Sequence, residues 1–266
     1  IAHHIVAYHE FPLVGPEGRF GRISHSPVYF YFLALPLLIK DSIIFLGLFN
    51  VFLQMTALLL VYFLGRMMFS KSVGLGALAI FATNQDVIHQ SSFVWQPHIM
   101  QPFLLLSLFL LFFAYTHKNY RFLLSSIAFF VFSNVLSQSV LALIPFYLIT
   151  VLLILRADPK KSWQHYAGAI ACFLGTLILL YTPLLFYFSR NKAEITSSLH
   201  STSAFFLRNF ANNEEIVTRF FSHTELFLSV LFIHGPFAKF ISNHILQRAF
   251  LTSIFSGVFF FFYFYG

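Results

Sequence analysis

The chain has 266 residues, of which 58% are hydrophobic, 20% aromatic and only 9% charged, with a mean hydropathy of +0.78. Soluble globular domains carry charge on about a quarter of their residues, so a soluble fold is excluded and an integral membrane protein is implied. The formal charge of +7 is dispersed over loops and forms no stripe, so membrane topology accounts for it and nucleic acid is not an implied partner.

The first element is an amphipathic segment from Ile1, which carries His3, His4 and His9. Their spacing does not put three imidazoles on one helical face, and no metal site is expected. A Gly/Pro-punctuated loop follows, GPEGRFGRISHS, with Glu17, Arg19, Arg22 and His25. It runs directly into the aromatic stretch that opens at Pro27, a residue suited to the first turn of a helix, with Ser24 or Ser26 placed to cap it. From Val28 to Ile39 such a helix is about 18 Å long, short of the ~30 Å hydrocarbon core. It is expected to lie in the interface or to re-enter, with Tyr29 and Tyr31 at headgroup level.

Apolar runs then follow at Ser42–Leu64, Val73–Ile88, His98–Tyr115, Phe122–Leu136, Val140–Leu155, Tyr166–Phe188, Leu226–Phe240 and Ala249–Tyr265. The expected fold is all-α and polytopic, with about seven or eight transmembrane helices. Basic residues alternate between the connections: Arg66 and Lys71, none in 84–97, Lys118 and Arg121, none in 134–139, then Arg156, Lys160 and Lys161. The positive-inside rule puts these basic loops in the cytoplasm, and the loop 15–26, 84–97, 134–139 and 189–222 on the opposite face. Ser72 with Gly76, and Gly168 with Cys172, are small enough for close helix approach. One transmembrane domain is expected over 1–266: the end of an outer loop with juxtamembrane helices (1–40), a helix bundle (41–188), an outer loop (189–222) and further helices (223–266). The absence of an initiator methionine and of a flank after Tyr265 reads as a piece cut at both ends.

No P-loop, dinucleotide fingerprint, HExxH or GxSxG pattern occurs, so chemistry must come from dispersed polar residues on the outer face. No cofactor is implied. The candidates are Arg19, Arg22, His25 and Tyr29 in and after the first loop, Asp86, Gln96 and His98 in the second, and Gln138 in the third. Charged and amphoteric groups at membrane depth are costly and mark function. Two readings of Asp86 and His98 stand, a functional one and simple solvation in interfacial water. For Glu17, Arg19 and Arg22 the plainer reading is a solvated loop with a local ion pair. Gln138 lies between two half-length runs, where irregular backbone is tolerated if it lines a cavity.

The run IAHHIVAYHEFPLVGP followed by SHSPVYFYFLALPLLI resembles the end of the first outer loop of bacterial family-39-like membrane glycosyltransferases of the GT-C class. VYFLGRMMFSKSVGLGALAIFATN resembles that family's next helix, basic turn and small-residue helix, and FVWQPHIMQPFLLL its next outer loop; the similarity covers about residues 1–160. Ser26 stands where the family has the first of two prolines. Relatives with an acidic residue in the second outer loop carry it near Gln96-Pro97-His98, which leaves the sugar open. The resemblance implies an inverting transferase of the plasma membrane that takes a hexose or pentose from a polyprenyl-phosphate carrier to a lipid, glycan or protein acceptor outside the cell. It also implies an aspartate as general base, expected upstream of Ile1, so that 1–266 alone is expected to be inactive. Arg19, Arg22 or His25 would then hold the leaving phosphate, with Gln96, His98 and Gln138 toward the sugar or acceptor. A secondary transporter and a non-catalytic or polysaccharide-polymerase-like membrane protein remain as other classes. Charged residues at the midplane and two similar halves would favour the former.

Overall fold

The computed structural model describes residues 1–16, 25–137, 140, 143–156 and 163–191, apart from the side chains of Asp86, Gln90 and Pro145. The described residues form an all-α polytopic membrane protein. The helices are α1 (Ala2–Tyr8), α2 (Val28–Ile39), α3 (Ile43–Met68), α4 (Lys71–Thr83), α5 (Gln85–Ser92), α6 (Gln96–His117), α7 (Tyr120–Leu136), α8 (Ile144–Arg156) and α9 (Trp163–Arg190). Among them α3, α6 and α9 are long and apolar enough to cross a membrane, and α2, α4, α7 and most of α8 are shorter apolar helices. The expected runs at Leu226–Phe240 and Ala249–Tyr265 lie outside the described residues.

Two compact units divide the chain. In its described part, one holds α1 to α7 and α9; the other contributes α8, where the Thr150 hydroxyl donates back to the Phe146 carbonyl at 2.8 Å.

Side-chain pairs in the larger unit fix the helix directions. Gln54 meets His98 and Phe63 meets Phe109, so α3 and α6 run parallel. Phe103 meets Phe132 and Phe113 meets Phe122, so α6 and α7 are an antiparallel hairpin turned at Lys118 and Asn119. Tyr120 bonds the His165 carbonyl and Cys172 that of Leu124, so α7 and α9 are parallel. One end of the unit therefore gathers the starts of α3 and α6 with the ends of α7 and α9. The other gathers Arg66, Lys71, Lys118 and Arg121 at the α3–α4 and α6–α7 turns.

Hydroxyls and small residues hold the helices together where lipid offers no hydrophobic drive between them. Ser107 and Ser126, both fully buried, donate to each other's carbonyls at 2.9 and 2.8 Å across α6 and α7. Gly168 packs against the Tyr120 hydroxyl and Cys172 against α7, as their size predicts. For α4 the expectation is corrected. Ser72 and Gly76 are exposed and a side chain at Gly76 would meet nothing, whereas a Cβ on Gly74 would stand 2.7 Å from the Tyr62 carbonyl oxygen. The α3–α4 crossing runs through Gly65 and Gly74.

A second difference concerns the run Val73–Ile88. It breaks at Asn84, whose Oδ1 accepts the Val87 amide at 3.2 Å and so starts α5 as a separate short helix. The expected loop 84–97 is thus mostly helical. An Asn side chain offers the backbone this local alternative to continuing a helix.

Candidate active site at the aromatic end of the bundle

The starts of α2 and α6 and the end of α7 share one buried apolar cluster, Tyr29 and Leu33 with Leu53, Ile99 and Leu136. Phe32 joins them, edge-on to Phe103 and Phe132. Tyr29 lies by Leu53 and Phe32 meets Phe49, so short aromatic α2 runs antiparallel to the start of α3.

The entry to α2 is built from backbone. The Gly15 amide donates to the His25 carbonyl at 2.9 Å and the His25 amide to that of Pro16 at 2.8 Å, a two-bond clasp that closes the loop between them. Gly15 is needed there because any Cβ would run into the carbonyls of His25 and Ser26. Ser26 is fully buried and its hydroxyl donates to the Leu180 carbonyl at 2.7 Å, joining α2 to the second half of α9. The residue expected as a helix cap is thus mainly an anchor, and its contact with the Val28 amide is long at 3.4 Å. The Tyr31 hydroxyl donates to the Pro12 carbonyl and pins the approach from α1. Burial pushes the His25 imidazole below its ordinary value of 6.5, so at neutral pH it is uncharged.

Across α2 lies the segment from α5 into α6. His98 is only 4% exposed, with Phe93 4.6 Å and Trp95 5.3 Å away, both edge-on, and its Nδ1 is 3.3 Å from the Phe93 carbonyl. Gln96 opens α6 with its Nε2 buried and unpartnered. Pro102 explains a feature beneath them. It lacks the N–H that the His98 carbonyl would accept in an unbroken helix; Gln54 of α3 supplies the donor instead, Nε2 to oxygen at 2.8 Å. One turn earlier, Asn50 Nδ2 donates to the carbonyls of Ser91 and Phe93 at 3.1 and 3.3 Å, where α5 ends without intrahelical partners.

Asn50 and Gln54 were not among the residues singled out from sequence. Their signal was present, since two amides four residues apart share one face of an otherwise apolar spanning helix. They are 1% and 3% exposed and satisfy irregular backbone that a membrane does not tolerate unpaired. Asn134 of α7, 7% exposed with Nδ2 unpartnered, is a third buried amide at this end.

Of the sequence-predicted residues, His25, Tyr29, Gln96 and His98 are thus placed at the same end of the bundle. Asp86 lies in α5 there, its side chain not described. Arg19, Arg22 and Gln138 fall outside the described residues. The arrangement offers a neutral imidazole, buried amides and an aromatic wall next to lipid. That combination suits a ligand part apolar and part hydroxylated.

Among curated proteins and among solved structures, none matches this chain. The family model described as dolichyl-phosphate-mannose-protein mannosyltransferase matches residues 24–177, from the residue before His25 through the first half of α9 and more than half of the chain. The chain therefore belongs to the dolichyl-phosphate-mannose-protein mannosyltransferase family, a family of GT-C-type membrane glycosyltransferases.

Proposed function

We propose that this protein transfers a hexose or pentose, with inversion, from a polyprenyl-phosphate carrier to a lipid, glycan or protein acceptor at the outer face of a bacterial plasma membrane. The observation that carries the reading is the division of the larger unit into two ends. Arg66, Lys71, Lys118 and Arg121 share one, and the start of α2, α5 and the start of α6 share the other. By the positive-inside rule the basic end is cytoplasmic, so the polar and aromatic end faces out. Among the described residues two cations stand at the polar end against these four, Lys40 between α2 and α3 and Arg190 at the far end of α9, 4.2 Å over the Phe186 ring and beside a long stretch for which the rule counts charge little.

The donor is itself divided, and each part finds a complement. Its chain lies in lipid, its phosphate meets Arg19, Arg22 and His25, and its sugar meets Gln96, His98 and Gln138 against Tyr29. Charge-assisted bonds to phosphate are about twice as strong as neutral ones, so the two arginines supply most of the hold and neutral His25 adds an N–H donor. A carboxylate takes the acceptor proton as its oxygen attacks, and the cations stabilise the phosphate that leaves.

The test is sugar transfer by the full reading frame in proteoliposomes, with a radiolabelled polyprenyl-phosphate sugar. Transfer that falls at least tenfold in Arg22→Ala and Gln96→Ala supports this site. Transfer indifferent to both, or carrier-independent uptake of free sugar, contradicts it.

A further inference from the structure

Three backbone carbonyls of the segment from Ser91 to His98 are bonded by the side chains of a single turn of α3. Asn50 Nδ2 donates to those of Ser91 and Phe93 at 3.1 and 3.3 Å, and Gln54 Nε2 to that of His98 at 2.8 Å. A polar side chain in a spanning helix can also close on its own backbone, as the Thr56 hydroxyl does on the Phe52 carbonyl at 3.0 Å. Asn50 and Gln54 instead direct their donors at another segment, from one helix face and under nearly complete burial. The imidazole of His98 joins the same arrangement, because its Nδ1 is 3.3 Å from the Phe93 carbonyl. A carbonyl only accepts, so Nδ1 carries a hydrogen there, and Asn50 and His98 share one acceptor.

We propose that Asn50 and Gln54 are positioning residues of the sugar site, which set the places of Gln96 and His98 without touching substrate. The inference rests on the reading that those two side chains meet the sugar. Pairing the carbonyls for stability alone would place no demand on where the donors come from. Here both come from one turn of α3, and their bonds bracket Gln96 in sequence, at Ser91 and Phe93 before it and His98 after it. Removing either donor frees one side of the segment, and a shift of the Phe93 carbonyl carries the imidazole with it. Losing one hydrogen bond is worth about fivefold in an equilibrium, and a misplacement of about 1 Å up to ~100-fold in rate.

The experiment measures initial rates of transfer by the full reading frame in proteoliposomes, with cell-envelope extract as acceptor. Radiolabelled polyprenyl-phosphate mannose, glucose and arabinose are tried, and the one the parent transfers is then varied in concentration. Gln54→Leu should raise the KM for that donor about tenfold. Adding Pro102→Ala, which returns an N–H to the His98 carbonyl, should bring it back to within about threefold of the parent. Gln54→Asn, whose amide is one methylene short of that carbonyl, should repeat the defect and serves if the leucine variant does not fold. Damage to folding alone lowers Vmax with the folded fraction and leaves KM where it was. A parental KM in the Gln54 variants, or a raised KM that Pro102→Ala does not restore, overturns the assignment and leaves the proposed transfer standing. Absence of transfer by the parent from all three donors overturns the underlying reading, and the assignment with it.

Discussion

Gln54 and Pro102 make the sharpest case at the level of single residues. Proline removes the N–H owed to the His98 carbonyl, and a glutamine from another helix replaces it. Gln54→Leu should cost about 1–3 kcal/mol, the penalty for a buried carbonyl left without a donor. Restoring the N–H with Pro102→Ala should recover much of that loss, so a double-mutant cycle read by thermal unfolding in detergent should show coupling; additive effects would deny the link. His25 gives a pH dependence. Its folded pKa lies below 6.5, so the unfolded chain binds more protons between the two values. Stability should therefore fall as pH drops through and below 6.5, and His25→Gln should flatten that slope. Gly15→Ala should loosen the clasp and lower stability by about 1–3 kcal/mol, since a Cβ there requires carbonyls to move. A melting temperature unchanged in this variant would show the clasp to be unimportant.

Helices were legible from the sequence wherever one signal dominated. Pro27 after Ser26, before an unbroken apolar run, sets the start and length of α2, and the structure has it at Val28–Ile39. The long runs gave α3, α6 and α9 within a few residues of their observed ends. α5 was missed because composition alone does not weigh one Asn cap against a continuing apolar stretch. The choice of Gly65 and Gly74 over Ser72 and Gly76 was also hidden, because small residues fall on several faces of α4 and only the crossing selects one. Gly74→Val should therefore push α4 away from α3 and lower thermal stability, while Gly76→Val, with open space around it, should be tolerated. Comparable losses in both would contradict this crossing. At the site, charged and histidine candidates stood out in sequence, but the buried amides that support them sit inside spans that read simply as apolar.

The whole molecule is organised by the difference between its two ends. Aromatic α2, the α5–α6 segment and the buried amides gather at one, and the short basic turns at the other. The chain belongs to a membrane glycosyltransferase family, and on the proposed reading that asymmetry has a use, because a lipid-linked sugar would be met at a membrane surface. The sidedness can be read directly. With Cys172→Ser as background, His89→Cys in α5 and Lys118→Cys in the α6–α7 turn are exposed to an impermeant thiol reagent added to intact cells. Position 89 should be modified in intact cells and position 118 only after the cells are opened. Modification of 118 from outside, with 89 protected, would contradict this sidedness.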